Sequence, residues 1–274
     1  MPERDLEEVL RDLPRPSFKQ RLKERIMEPQ TITPYITVGP ADELADFVKN
    51  TFGAEQLARA IGPAGGVHYS LRIGDAQVMI GGGAALAHKA MPTMLHLYVP
   101  DVDAMYRRAI EAGAKSLGEP RDQVYGDRDC TVEDLAGNQW CLATSKGPQY
   151  KPDRMRNVTV YLHPYGVHKL IDYMQRAFDA QVLEQYPAPD GTVAHAKVQL
   201  GNTIIEMGEA HEQWTPLPTM IQFQVSDTDA AYERALAVGG TSVTPPANQP
   251  YGARVAAVED PTGNQWYMTG PVQG

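Results

Sequence analysis

The residues of this chain best suited to chemistry are a carboxylate and an imidazole on neighbouring predicted strands. Glu206 lies in the apolar run Thr-Ile-Ile-Glu-Met, and His195 alternates with small and apolar residues within residues 193–200. Strand alternation places His195 and Lys197 on one polar face. A buried carboxylate beside an imidazole could act as general acid and base once burial shifts their pKa values. Glu206 could equally form a satisfied buried pair with Lys197 or His195, and the residues alone leave both interpretations open.

The strands that carry these residues belong to an internal repeat. Residues 123–140 recur 126 positions later as residues 249–266, with Gln, Tyr-Gly, Arg, Val-Glu-Asp and Gly-Asn-Gln-Trp at matching places. In each copy Gly and Asn reverse the chain between two strands, which predicts a closing β-hairpin. Trp140 and Trp266 fall on the apolar face of the second strand, so we expect both to anchor the core. The repeat predicts two domains within the 274 residues.

Each copy contains two units with the order β-α-β-β-β. The first unit opens with a strand at residues 33–38 and a helix at 40–52, whose first turn carries Pro40 and two acidic residues. A second unit starts at residue 93, and the second copy repeats the pattern from residue 157. The predicted organisation is a helical arm at 1–30, a first domain at 31–145, a linker at 146–156 and a second domain at 157–274.

These paired units, which end in Glu-Asp-Pro-x-Gly-Asn-x-Trp, resemble the vicinal oxygen chelate superfamily of glyoxalase I, bleomycin-resistance proteins and extradiol dioxygenases. The opening Thr-Pro-Tyr-Ile-Thr-Val, the turn Phe52-Gly53-Ala54 and the run Leu-Arg-Ile-Gly-Asp at 71–75 resemble its PhnB-like branch. The resemblance covers residues 31–271. It implies an α+β fold of two tandem glyoxalase-like domains. Each would be a cupped, mostly antiparallel sheet of paired βαβββ modules, with helices on the convex face and a ligand cavity on the concave face.

Alternation along the strands then selects the side chains that face each cavity, on the expectation that each copy encloses its own cavity. In the second copy the catalytic candidates are Glu206 and His195, and the ligand-binding candidates are Tyr161, His163, Lys197, Gln222 and Tyr267. In the first copy the ligand-binding candidates are Tyr35, His68, Arg72, His96 and Cys141.

The repeated Tyr-Gly-x-Arg before each hairpin strand provides further candidates. It occurs as Tyr125 with Arg128 and as Tyr251 with Arg254. These residues could contact a ligand at the mouth of a cavity. Alternatively, the tyrosine fixes the loop and the arginine is a surface cation.

The resemblance also implies four metal-ligand positions in each cavity, usually His or Gln from the first strand of each unit and Glu from the last. In the first copy these positions hold Thr33, Met79, Met94 and Cys141, and in the second Thr159, Glu206, Met220 and Tyr267. Only Glu206 keeps a residue of the family's type, so we predict that the usual metal site is lost and assign no metal ligand and no cofactor. A divalent ion in a shifted site, built from His68 with His96 or from His195 with Glu206, stays an alternative that lacks an identified third ligand.

Charge and hydropathy limit the partners. The formal net charge of −9 argues against nucleic acid or an anionic membrane as the main partner. No apolar run has the length of a membrane span and the charged amino terminus is unlike a signal peptide, which favours a cytoplasmic protein. Two apolar stripes in residues 1–27, separated by prolines, predict short amphipathic helices. We expect this arm to cover a sheet edge or a homodimer surface, and the two domains to pack as an intramolecular pseudo-dimer.

Three functions remain for such a chain. The leading one is metal-free binding of a small organic ligand in one or both cavities, as in the bleomycin-resistance type of protein. The alternative is a lyase, isomerase or dioxygenase-type enzyme with a relocated metal site, or with metal-free acid–base catalysis through Glu206 and His195. The third is a regulatory or interaction module that uses the amino-terminal arm.

Overall fold

The computed structural model describes residues 29–62, 65–83, 90–212 and 214–272. The amphipathic helices predicted within residues 1–27 lie outside the described residues, and so does any role of the arm in a homodimer. Among the described helices, none is both long enough and apolar enough to cross a lipid bilayer.

Four β-α-β-β-β modules follow one another along the chain, as predicted. Module 1 comprises β1 Ile32–Val38, α1 Ala41–Phe52, β2 Glu55–Ile61, β3 Val67–Ile73 and β4 Ala76–Gly82. Module 2 comprises β5 Met94–Tyr98, α2 Val102–Glu111, β6 Lys115–Asp122, β7 Asp127–Glu133 and β8 Gln139–Ser145. Module 3 comprises β9 Val158–Leu162, α3 Val167–Phe178, β10 Gln181–Pro187, β11 Val193–Leu200 and β12 Thr203–Met207. Module 4 comprises β13 Met220–Gln224, α4 Thr228–Ala237, β14 Thr241–Asn248, β15 Ala253–Glu259 and β16 Gln265–Pro271.

The helices begin and end where local chemistry favours it. The side chains of Asp101 and Asp227 accept hydrogen bonds from backbone amides in the first turns of α2 and α4, at 2.9 and 3.0 Å. Helix α1 starts after Pro40 and ends at Gly53, whose φ of 70° is a left-handed conformation that glycine adopts without strain. Each helix is therefore confined to the segment between the first two strands of its module.

The modules pair crosswise, the outer two with each other and the inner two with each other, into two eight-stranded mixed sheets. Sheet A has the order β14-β15-β16-β13-β1-β4-β3-β2 and joins modules 4 and 1. Sheet B has the order β10-β11-β12-β9-β5-β8-β7-β6 and joins modules 3 and 2. The junctions are the antiparallel pairs of β1 with β13 and β5 with β9.

This pairing confirms the predicted α+β fold of two glyoxalase-like sheets built from paired modules. The expectation that the two modules of one copy share a sheet and a cavity is wrong, because β1 finds its antiparallel partner in the other copy. The predicted boundaries at 31–145 and 157–274 describe the sequence repeats, and each sheet takes one module from each repeat.

Modules 1 and 2 lie on different sheets, as do modules 3 and 4, and each of these pairs packs through helices and aromatic side chains. Helix α1 packs against α2, and α3 packs against α4. The ring centroids of Phe52 and Trp140 lie 4.7 Å apart, and those of Phe178 and Trp266 lie 5.0 Å apart. Both tryptophans are fully buried, which confirms their predicted role as core anchors. One hydrophobic core therefore serves both sheets.

A buried aspartate fixes each repeated hairpin. The indole Nε1 of Trp266 donates to Asp260 at 2.8 Å, and the backbone amides of Thr262 and Asn264 donate to the same carboxylate at 2.8 and 3.2 Å. Asp134 accepts from the Nε1 of Trp140 at the same distance of 2.8 Å. The turn and the tryptophan are thus held by one hydrogen-bond network, since a buried carboxylate needs several donors.

We expect Asp260→Ala to lower the free energy of unfolding by about 3 kcal/mol, because the Trp266 indole and two turn amides lose their charged acceptor. Urea denaturation measures this change. The control is Asp46→Ala, which removes an exposed carboxylate paired with Lys49, and we expect a change of less than about 0.5 kcal/mol there. Equal effects of the two substitutions would contradict a stabilising role for the buried network.

Candidate functional site

Glu206 lies at the centre of sheet B between two imidazoles. His96 Nδ1 lies 2.7 Å from Glu206 Oε2, and His195 Nε2 lies 3.5 Å from Oε1. The side chain of Glu206 is only 2% exposed. These three residues, which we call the histidine–carboxylate cluster, confirm that Glu206 is a paired buried group. Of the two alternative partners, Lys197 or His195, the structure shows His195, and it adds His96, which was not expected.

The crosswise strand pairing produces this cluster. Glu206 of β12 stands beside Tyr161 of β9, and Tyr161 is opposite Met94 of β5. His96, two residues along β5, points to the same face as Met94 and so reaches the carboxylate. An imidazole from the first copy thereby meets a carboxylate from the second.

The two charges depend on each other. Burial alone would raise the pKa of Glu206, but His96 and His195 hold it well below its usual range. Burial alone would lower the pKa of His96, but Glu206, with smaller effects from Asp127 and Asp129, raises it above its ordinary value. The cluster therefore favours a carboxylate with a protonated imidazole at mildly acidic pH.

The donor set does not fit the metal site that the fold suggests. The ligand-equivalent positions on sheet B hold Met94, Cys141, Thr159 and Glu206, and those on sheet A hold Thr33, Met79, Met220 and Tyr267. Both oxygens of Glu206 face imidazole nitrogens, so the groups that would ligate an ion bind one another. The shifted pair of His68 and His96 lies on different sheets. Within the part of the chain that the structure describes, no three His, Cys, Asp or Glu side chains are grouped to hold a metal ion.

A cavity of about 690 Å³, which we call cavity B, lies on sheet B, and its lining includes Tyr161, the strand neighbour of Glu206. Val193 and Ala194 both line it because the β10–β11 register shifts between Tyr186 and Pro187, which interrupts simple alternation. Its aromatic lining is formed by Tyr161, His163, Tyr165, His211 and Trp214.

His163 is a buried polar residue in the lining of cavity B. It is 8% exposed, and neither ring nitrogen has a hydrogen-bond partner of standard geometry within the described residues. Burial, and then the neighbouring His211, lowers its pKa, against smaller opposing effects of the Trp214 backbone and Glu209. His163 is therefore a neutral imidazole at the wall of the cavity, with a donor and an acceptor to offer.

A second cavity of about 360 Å³, cavity A, lies on sheet A. Its polar lining includes Tyr35, His68, Gln222, Tyr251 and Tyr267. The Tyr35 hydroxyl lies 3.1 Å from His68 Nδ1, while the buried hydroxyl of Tyr267 has no partner within the described residues. Gly81 is required beneath Tyr35, because a Cβ there would collide with the tyrosine ring.

The structure brings together most of the predicted site residues, but in different groups. His96 and Cys141, predicted with the first cavity, lie on sheet B with Glu206 and His195, and Gln222 and Tyr267 lie on sheet A with Tyr35 and His68. The predicted grouping of these four residues is wrong, because alternation along a strand does not reveal its partner strand. Two predicted side chains are engaged elsewhere, Lys197 with Glu184 at 3.3 Å and Arg72 with Glu55.

The Tyr-Gly-x-Arg repeat serves different purposes in its two copies. Arg128 donates twice to Asp103 of α2, and Arg254 donates twice to Asp229 of α4, so both arginines tie a hairpin strand to a helix. Only Tyr251 lines a described cavity.

Loop residues of cavity B were not predicted from the sequence. Asp190, Tyr165, His211 and Trp214 lie outside the strands and so carry no alternation signal. Trp214 is the one tryptophan of three that stands outside the repeated hairpin, and this position was the available signal.

Comparisons with known proteins agree with this geometry. The family model described as Glyoxalase/Bleomycin resistance protein/Dioxygenase superfamily matches residues 29–142 and 166–268. Uncharacterized proteins of Mycobacterium bovis and Mycobacterium tuberculosis are each 35% identical over 122 residues, which is 40% of this chain and 80% and 72% of those relatives. The crystal structure of glyoxalase I from Zea mays has a TM-score of 0.67 at 16% identity, covering 87% of this chain and 92% of that one. This last likeness shows a shared fold.

The histidine–carboxylate cluster should make stability depend on pH. The folded pKa of His96 lies above its ordinary 6.5, so its contribution is complete below that pH and is lost as pH rises through the folded value. The folded pKa of Glu206 lies below its ordinary 4.5, so its contribution is present above that pH and is lost as pH falls through the folded value. Together they stabilise the fold most between pH 4.5 and 6.5.

We expect Glu206→Gln to lower the free energy of unfolding by about 3 kcal/mol within this window, because His96 stays buried without its anionic partner. The difference from wild type should shrink above the window. Urea denaturation at a series of pH values measures it. The control is Glu184→Gln, which neutralises the exposed carboxylate that pairs with Lys197. Its effect on the free energy of unfolding should not peak between these pH values. A difference for Glu206→Gln that is flat across pH would contradict the assigned charges.

Proposed function

The chain belongs to the glyoxalase/bleomycin resistance protein/dioxygenase superfamily, and from that premise we propose that it binds a small organic ligand in its concave cavities without a catalytic metal. The observation that carries the proposal is the pairing of both Glu206 oxygens with imidazoles, in a protein that has a cavity on each of its two sheets. The one carboxylate of the family's type is thereby used within the protein, while the two cavities leave space for a ligand.

The size and lining of the cavities support this proposal. Their volumes of about 360 and 690 Å³ fall within the range of small-molecule sites. Each contains a buried polar group that has no hydrogen-bond partner of standard geometry among the described residues, His163 in cavity B and Tyr267 in cavity A. Such a group costs about 1–3 kcal/mol when it is left unsatisfied, and a bound ligand can supply the missing hydrogen bond.

Cavity B suits a planar ligand. Tyr161, Tyr165 and Trp214 provide aromatic surface, and the neutral His163 provides a donor and an acceptor. Aromatic side chains bind flat apolar groups by stacking, and one fixed polar group orients them. These features support cavity B as the site of the proposed small-molecule binding.

One observation favours a second candidate, a metal-free acid–base enzyme. The side chain of His195 is 30% exposed while the carboxylate behind it is buried. The ring centroids of Tyr161 and Tyr186 lie 6.1 and 6.5 Å from that of His195. A carboxylate that orients an accessible imidazole is an arrangement used in general base catalysis. This enzyme would use His195 as the base and Glu206 as its orienting group.

We expect the purified protein to contain less than about 0.1 equivalent of zinc, nickel, iron or manganese, because the ligand-equivalent side chains are not suited to these ions. Elemental analysis measures the content. The unfolding temperature should also be unchanged by EDTA and by added metal. Stoichiometric metal that is lost on Glu206→Gln would contradict the metal-free proposal.

Trp214 is a natural reporter for cavity B, since the other two tryptophans are fully buried. We expect planar aromatic compounds that raise the unfolding temperature to quench tryptophan fluorescence, and Trp214→Phe to abolish the quenching. Trp214→Ala should weaken binding by about tenfold or more, because one stacking wall is lost.

Glu206→Gln distinguishes the two candidates. A binding protein keeps its affinity for these compounds when the buried carboxylate is neutralised. An acid–base enzyme that turns over a bound compound loses its rate on both Glu206→Gln and His195→Gln. Failure of every compound to bind would contradict the leading proposal.

A further inference from the structure

We propose that cavity A is a second site of different chemistry, which binds an uncharged ligand carrying carbonyl-type oxygen acceptors. This inference rests on the proposed function, since it takes small-molecule binding as given, and it adds the chemical class of the ligand. Three features lead to it: the charge of the lining, the supply of hydrogen-bond donors, and the difference in charge between equivalent positions of the two sheets.

The lining of cavity A is electrically neutral. None of its described residues is Asp, Glu, Lys or Arg. His68 is the titratable imidazole of the lining, and burial lowers its pKa, so it is neutral near pH 7. An ion that entered such a site would lose its hydration without gaining an opposite charge, at a cost of several kcal/mol. Cavity B differs here, because Asp190 and Glu209 line it.

Cavity A contains hydrogen-bond donors that are available to a ligand. Burial raises the pKa of Tyr267 and of Tyr35, so both phenols keep their protons. The Tyr267 hydroxyl has no partner within the described residues. The Tyr35–His68 pair retains one free O–H or N–H whichever histidine tautomer is present, because only one of the two protons is used between them. A ligand that offers oxygen acceptors can therefore satisfy donors that have no partner within the described residues.

The two sheets differ in charge at equivalent positions. At equivalent positions the charged or ionisable residues of sheet B are replaced by neutral ones, with Met79 for Glu206, Gln222 for His96, Ala253 for Asp127 and Val255 for Asp129. In module 2 the Tyr125 hydroxyl donates to Asp129. Val255 cannot accept such a bond, and Tyr251 instead lines cavity A. Sheet A thus has neutral side chains where sheet B has the ionisable residues Glu206, His96, Asp127 and Asp129.

Three compounds of matched size test the charge requirement: naphthalene-1-carboxamide, 1-naphthoate and 1-naphthylmethylammonium. They are titrated against the full chain by thermal shift at pH 7.5, where His68 is neutral. We expect the carboxamide to bind at least about tenfold more tightly than either ion, because only the ions lose hydration without compensation.

Tyr267→Phe tests the donor. We expect it to weaken carboxamide binding by about tenfold, as for the loss of one hydrogen bond from a buried donor. Tyr173→Phe is the matched control, since its hydroxyl is also buried and unpartnered within the described residues but lies on α3 against Gly240, away from the cavity. Both variants should unfold at the wild-type temperature or above it, because each removes an unsatisfied buried group.

The outcomes separate this inference from the proposed function. Carboxamide binding that quenches Trp214 and is indifferent to Tyr267→Phe places the compound in cavity B, which overturns the inference and leaves the proposed function standing. Binding of 1-naphthoate or 1-naphthylmethylammonium that equals carboxamide binding and shares its dependence on Tyr267 overturns the assigned ligand class. If none of the three compounds binds, the inference fails, and the separate Trp214 screen decides the proposed function.

Discussion

The antiparallel pairing of first strands from different sequence repeats determines which side chains meet in this protein. Pairing of β5 with β9 brings His96 to Glu206, and pairing of β1 with β13 brings Gln222 and Tyr267 to Tyr35. Every cavity-facing contact across a junction therefore joins residues from both sequence repeats. Cavity A is therefore a property of two repeats, since each repeat supplies part of its wall.

The same hairpin supports opposite environments on its two sides. On the core side an aspartate, a turn and a tryptophan form the same hydrogen bonds in both copies, with indole-to-carboxylate distances of 2.8 Å in each. On the cavity side the next residue is Cys141 in one copy and Tyr267 in the other. Because alternate residues of a strand face opposite sides, the core contacts hold the backbone in place while the cavity side chains differ.

Local features of this fold could be predicted from the sequence, and long-range ones could not. The modules, the hairpins and the burial of Trp140 and Trp266 follow from alternation and turn chemistry, which are properties of neighbouring residues. The choice of partner strand is not encoded in alternation, so His96 and Tyr267 were grouped with the wrong cavity. The wall of cavity B formed by Trp214 and His211 lies in a loop, where no periodic pattern marks the side that faces a ligand.

The crosswise arrangement also orders the events of folding. Sheet B joins modules that are adjacent in sequence, whereas sheet A pairs Thr33 with Gln222 and must close a loop that contains both middle modules. Contacts of high sequence separation form late, because the entropy of loop closure opposes them. All strands of sheet B precede module 4 along the chain, so we expect sheet B to assemble first during synthesis and the edge of β1 that faces β13 to stay unpaired until module 4 emerges. We therefore expect cavity A to form last, after cavity B.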